Sequence, residues 1–257
     1  MVQGFRLAPS RAVIWLTALA CLGPSHLNAD GSAWSDSVYR RVRYLHHNRH
    51  LNHGWLDSCR IALERVKLAE PDNETCRVWL SRVLLQLGDY SESRTGKRNW
   101  YSRARREADS LRLLNEMNPE AYLWWANAQS RIGEMRGIMQ SLFMLRSIRA
   151  AFMRVLEIQP NHVLGNYAMG RMYYELPGIA GGNLAEAERY FAEAARLEPT
   201  LTLARVGLAW VHVRRREWQR AREELEAVMG ADSVSEPASY VEHDLPEARR
   251  LLTEIPE

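Results

Sequence analysis

The 257-residue chain lacks most of what would make it an enzyme, a disulfide scaffold or a nucleic-acid binder. Cysteine occurs only 3 times, with no CxxC pair and no zinc-finger spacing, which excludes a dense disulfide framework and a structural zinc site. There is no GxSxG, no SxxK and no HExxH. The glycines of "ELPGIAGG" follow no strand and precede no GK[ST], so they do not cradle a phosphate. Carboxylates fall on charged helix faces beside arginines, as in "RREWQRAREELEA", where i,i+4 pairing accounts for them. The chain is therefore expected to be non-catalytic and to carry no cofactor. Charge of one sign is scarce as well. Lys and Arg number 34 against 31 Asp and Glu, a net +3, and without Arg6 and Arg11 of the leader the excess is +1. Such a balance leaves no electrostatic footprint for DNA or RNA, so no nucleic-acid partner is expected. What is present is 46% hydrophobic and 25% charged sequence, enough for one sizeable core or an extended one made of repeats.

The first residues have three parts: basic "MVQGFRLAPSR", apolar "AVIWLTALACL", then "GPSHLNAD" with a small residue at Ala29. The apolar run is far short of the roughly 20 residues a membrane helix needs but suits a signal peptide over residues 1–29, with a buried amphipathic helix as the alternative. "ALAC", ending at Cys21, resembles a lipoprotein processing site, although Ala18 stands where leucine is usual. The expected location is exported, periplasmic or envelope-associated in a bacterium, with membrane contact only through a lipid on Cys21. Export would place Cys59 and Cys76 in an oxidising compartment, where they either pair or remain two buried thiols.

Repeats dominate the rest. "LAEP", "EMNP", "EIQP" and "RLEP" end at Pro71, Pro119, Pro160 and Pro199, each closing an amphipathic run with apolar residues at i, i+3, i+4 and i+7. Before Pro199, Met169, Gly170 and Tyr173 stand on one helix and Ala187, Phe191 and Ala194 on the next. Small residues let two helices approach while an aromatic fills the gap. Leu208, Ala209, His212, Trp218, Ala221 and Leu225 repeat the pattern, and Leu80, Ser81, Leu84, Leu87, Gly88 and Tyr90 supply an earlier first helix.

These slots resemble the tetratricopeptide repeat. The implied fold is all-α, a right-handed solenoid of about five helical hairpins over 34–257, with units near 36–71, 74–119, 122–160, 163–199 and 202–233 and a capping helix at 237–254. The proline spacings of 48, 41 and 39 residues exceed the simple repeat of about 34. The excess is expected at the turn between the two helices of a unit: in "SESRTGKRNWYSRARR", within "RGIMQSLFML", and in "ELPGIAGG". From Trp124 to Pro199 the chain is similar to enlarged-turn tetratricopeptide proteins, including bacterial exported proteins akin to the T component of TRAP transporters and the regulator of microtubule dynamics family. The first unit departs from the pattern, and no partner-specific motif is visible.

The resemblance implies a binding function, with a protein or peptide in the concave groove; a ligand-handling accessory of a solute transporter, holding a small apolar or anionic molecule, is the alternative. Family geometry places Arg82, Tyr167, Arg171, Tyr174, Trp210 and Arg214 on the groove face, residue types that often carry interface energy. The loop residues Leu176, Pro177, Gly178, Ile179, Gly181 and Gly182 form an ordered turn that folds back on the stack, as core or as the wall of an apolar pocket. His46, His50 and His53, at i, i+4 and i+7 of a helix, would share one face where a metal could sit, or else line a solvated face. The basic and aromatic stretch 93–106 suits an anionic lipid surface, an acidic partner or plain solvent. Nothing in the residues sets the oligomeric state.

Overall fold

In the computed structural model the backbone is described for residues 31–136 and 138–256, and side chains from residue 36 onward except 137–142. The leader and Cys21 lie outside the described residues. The chain divides at Arg40, and the second compact unit, Arg41–Glu257, carries every feature discussed below. Among the described residues there are helices and turns but no strand.

Among the described residues the longer α-helices follow in order: α1 Gly31–His47, α2 Trp55–Ala69, α3 Glu74–Tyr90, α4 Arg94–Leu114, α5 Pro119–Arg136, α6 Ile138–Ile158, α7 Val163–Glu175, α8 Leu184–Leu197, α9 Thr202–Arg215, α10 Trp218–Met229 and α11 Leu245–Glu254. From α3 onward each helix packs most closely on its chain neighbours, so α3–α4, α5–α6, α7–α8 and α9–α10 form hairpins stacked in sequence. The tags cut the helices where polar caps can start the next. Asn73 accepts a hydrogen bond from the Cys76 amide at 2.9 Å, and His162 accepts one from Gly165 at 3.0 Å. Pro119 behaves differently from the other three prolines: α4 has already ended at Leu114, and Pro119 opens α5, where its missing amide costs nothing.

The small-residue slots work as expected. Phe191 of α8 is fully buried, and a Cβ on Gly170 or on Gly207 would sit 2.7 Å or 2.6 Å from its ring. One aromatic thus locks α7, α8 and α9 together, flanked by buried Ala187, Ala194 and Ala204. Gly88 and Tyr101 repeat the arrangement between α3 and α4.

The extra residues are placed otherwise than the sequence suggests in two units of three. "SRTGKRNWYSRARR" is the first half of the 21-residue helix α4, and "RGIMQSLFML" spans the end of α5 and the start of α6. Both units grow by lengthening helices at their hairpin end. The lengthened ends contact each other across the two units, with Arg94 of α4 donating to the Met135 carbonyl of α5. Tyr101 donates to Asp89 at 2.9 Å, and Arg131 lies 3.2 Å from Asp89.

Among the described residues of these three units, the long loop is in the fourth, over 176–183. Leu176 ends α7, Pro177 leads into a 3-10 turn over Gly178–Ala180, and Gly181 adopts φ 89°. Gly182 has no room for a side chain, because a Cβ would lie 1.8 Å from the Leu176 carbonyl oxygen. Asn183 then caps α8 by accepting from the Ala185 amide at 2.9 Å.

Cys59 and Cys76 are separate buried thiols. Their Sγ atoms donate to the Val42 carbonyl at 3.7 Å and the Leu63 carbonyl at 3.1 Å, and burial pushes each thiol up to about 12, so neither is a ready nucleophile.

Candidate functional site

The first helices of the hairpins, α3, α5, α7 and α9, all contribute to one cavity of about 350 Å³. Leu85 comes from α3, Leu123 and Trp124 from α5, Tyr167 and Met172 from α7 and Leu203 from α9, while Ile148 and Phe152 of α6 close the back. Its size sits at the small end for ligand pockets and equals a few large apolar side chains. Polar groups collect at the mouth: Asn127, Ser130, Arg131 and Glu134 on α5, Arg171 and Glu175 on α7. Arg131 is 3.3 Å from Glu134, and Arg171 donates to Glu175 at 2.6 Å, so each arginine is balanced by an acid one turn away. Burial pushes the Tyr167 hydroxyl up to about 12, which keeps it a neutral group inside the cavity.

The anticipated groove residues fall in three places. Tyr167 and Arg171 line the cavity. Tyr174, Trp210 and Arg214 form a separate stack on α7 and α9: the rings of Tyr174 and Trp210 are 5.6 Å apart at 23°, and the Arg214 guanidinium lies 3.8 Å over Tyr174 while donating to its carbonyl at 2.6 Å. Trp210 Nε1 donates to Glu247 of α11 at 2.8 Å. Arg82 sits apart, between Trp79 (5.3 Å) and Trp124 (5.7 Å).

Of the loop, only Leu176 reaches the cavity. Pro177, Gly178, Gly181 and Gly182 are not in its lining, and Ile179 stands fully exposed, so of the expected wall only Leu176 serves as one. The turn's backbone geometry returns the chain to α8, and at Gly181 a Cβ would lie 3.0 Å from the Arg149 guanidinium.

The histidine face does not form. Helix α1 stops at His47, His50 lies in a 3-10 turn over Arg49–Leu51, and His53 packs on Tyr90 with ring centres 4.2 Å apart. A different trio comes together: His46, His47 and Glu236 have ligand atoms within 4.8 Å of one another. Glu236 already pairs with Arg82 there, so its charge is met by a cation. Burial first, then Arg82 and Arg49, lowers the His46 pKa well below its ordinary value, leaving a neutral imidazole edge-on to Trp79.

In the stretch 93–106 two of the six cations are paired with acids, and Arg94, Arg98 and Arg106 are exposed. Arg103 pairs with Glu64 at 2.5 Å and stacks over Trp100, and Arg105 lies 3.8 Å from Asp109.

Residues 231–244, between α10 and α11, carry the contacts that sequence reasoning missed. Glu236 pairs with Arg82; Glu242 accepts from the Tyr90 hydroxyl and lies 3.3 Å from Arg49. Asp244 accepts from Thr202 Oγ1 at 2.7 Å. These partners lie as far as 154 residues away, so no local period points to them. The cavity was nearer to hand. Carrying the inner-face register of α7 from Pro160 to Pro119 falls on Leu123, Ala126, Ser130, Gly133 and Glu134, all but Ala126 in the lining.

Comparison with known proteins fits this architecture. The family described as regulator of microtubule dynamics protein 1-3 matches residues 39–180, and a tetratricopeptide-repeat family matches residues 179–239. The chain is 21% identical over 177 residues to regulator of microtubule dynamics protein 3 of Mus musculus, covering 60% of this chain but only 38% of that relative's length. Among solved structures it is similar to TTC0263, a tetratricopeptide protein of Thermus thermophilus, with a TM-score of 0.61 at 15% identity, over 84% of this chain and 97% of that one. A second is MamA 41-end from Desulfovibrio magneticus RS-1, with a TM-score of 0.46 at 17% identity, over 74% and 95% of the two chains. The two family matches and the likeness to the Thermus protein show the helical-repeat fold.

Proposed function

We propose that this chain, which belongs to the regulator of microtubule dynamics protein 1-3 family, is a non-catalytic binding module that holds a protein or peptide partner on its inner face. The observation that supports the reading is the 350 Å³ apolar cavity open on that face, with Arg131, Glu134, Arg171 and Glu175 at its mouth. An apolar side chain of the partner fills the cavity and supplies most of the affinity through burial. The paired charges at the mouth then align the partner's backbone and polar groups.

Selection of random peptides on the purified protein tests this. Enriched sequences should share a bulky apolar residue and should lose at least about tenfold in affinity on Leu145→Trp, which fills the cavity from the half-buried lining residue of α6. Peptides that bind both proteins equally would place the site elsewhere.

The apolar lining also favours a second reading, a small apolar or anionic molecule held in the same cavity. Native mass spectrometry separates the two, since a resident ligand adds a discrete mass that disappears on denaturation. The leader supports an exported protein, periplasmic or envelope-associated, with a lipid on Cys21 as one form of maturation. Its intact mass after expression in a bacterium decides among loss of residues 1–29, a lipid on Cys21 and an unprocessed chain.

A further inference from the structure

The segment 231–244 is held by a few apolar contacts and by charge. Ala238 is fully buried, Tyr240 packs partly buried on the core of α9, α10 and α11, the Ser235 amide donates to the Thr200 carbonyl at 3.1 Å, and Val241 is 46% exposed. Three of its four carboxylates meet a donor on the inner helices or the turn after α1: Glu236 on Arg82, Glu242 on Arg49 and Tyr90, Asp244 on Thr202, while Asp232 is exposed. His53 Nε2 adds a contact to Glu242 at 3.2 Å.

The receiving surface is built for such groups. Arg82 is clamped between two indoles, which fixes the plane of its guanidinium and turns the fork toward an incoming carboxylate. Arg49, whose side chain is only 5% exposed, is held by the His46 carbonyl at 3.1 Å and the Tyr90 hydroxyl at 3.2 Å. Among the described residues, the ion pairs of both arginines are to the segment alone. Two nearly buried cations need carboxylates from somewhere.

The segment itself fits imperfectly. Ser235 Oγ is buried without a partner, Asp244 is buried against a single hydroxyl, and Tyr240–Asp244 takes a π-helical turn, a conformation rarely adopted without a functional reason.

We propose, resting on the inner-face reading above, that Arg49, Arg82 and Tyr90 form a receptor for an acidic linear segment of a partner protein, which residues 231–244 occupy as an intramolecular stand-in. The tether gives the stand-in an effective concentration in the millimolar range, so a partner gains access only when it outcompetes the segment or when the segment is weakened. Trp124 is shared between the Arg82 clamp and the cavity, and Leu203 of the cavity follows Thr202, so release of the segment alters two walls of the neighbouring site.

A fluorescent peptide with the sequence of residues 231–244, followed by anisotropy, tests the assignment. It should bind the double variant Glu236→Gln/Glu242→Gln at least about tenfold tighter than the unmodified protein. Adding Arg82→Met should abolish that gain, and raising the salt should weaken it. Equal binding to both proteins, with the double variant's helicity and melting intact, overturns the proposal. Should the double variant not fold, hydrogen exchange on the unmodified protein with about 1 mM peptide decides. Amides of 231–244 should then exchange faster while those of α7 and α8 do not change, and no acceleration overturns the proposal. Leu145→Trp in the same assay leaves acidic-peptide binding unchanged, so failure of this receptor is distinguishable from failure of the cavity reading.

Discussion

Two stretches of one inner surface, built from the same kind of hairpin, behave in opposite ways. At the N-terminal end, Arg49, Arg82 and Tyr90 are covered by the chain's own acidic segment, and the contact is mainly ionic. In the middle, between α5, α6 and α7, the surface is apolar and open, and its arginines are satisfied by acids one turn away. The difference lies in where the counter-charge sits in the chain. Glu134 and Glu175 follow Arg131 and Arg171 on their own helices, and Asp89 of α3 adds a second acid to Arg131 at 3.2 Å; Arg82 and Arg49 have no paired acid on their own elements and draw on a distant segment. A repeat can thus keep its fold while a few charges decide whether its groove is filled from within.

The largest effect should remove both stretches together. Phe191→Ala empties the junction of α7, α8 and α9 and should cost about 3–5 kcal/mol in urea unfolding. Peptide binding at either stretch should fall with it, and survival of one alone would show that the two do not share a core. Next comes Asp244→Asn, which touches only the ionic end. Burial raises the Asp244 carboxyl to about 6, above its ordinary 3.8, so the folded state holds the proton more tightly than the unfolded chain. The penalty for the buried charge is therefore complete above pH 6 and fades as pH falls toward 4. At pH 7.5 the asparagine variant should be more stable by about 1–3 kcal/mol, and the gain should vanish near pH 4; a gain independent of pH would contradict this. Arg82→Met should cost roughly 1 kcal/mol and flatten the salt dependence of melting. Ile179→Ser, on a fully exposed loop residue outside both stretches, should change stability by less than about 0.5 kcal/mol and change neither binding event.

The hairpins were legible because their signals are local: prolines at fixed offsets, and small residues facing an aromatic twelve or more positions on. Gly170 against Phe191 needs only the 3.6-residue period to be found. Loop size was harder. Extra residues in the second and third units became helix, because the hairpin end is free of the register that binds the rest, whereas proline and two space-limited glycines forced a turn in the fourth. His46, His50 and His53 misled because a helical period was extended past His47, where the helix stops. Of the groove residues, Tyr167 and Arg171 were placed on the groove face by family register and turn out to line the cavity, and the same register applied to α5 adds Leu123, Ser130, Gly133 and Glu134. The acidic segment was beyond reach. Glu236 and Arg82 are 154 residues apart, and a pairing at that distance leaves no trace in spacing.

Hydrogen exchange of residues 231–244 at low and high ionic strength reaches the core of the account most directly. Protection of that segment should be clear at low salt and fall steeply by about 0.5 M salt, where charges are screened beyond a few ångströms, while α7 and α8 stay protected throughout. Protection of 231–244 that is absent at low salt, or that ignores salt altogether, would contradict it.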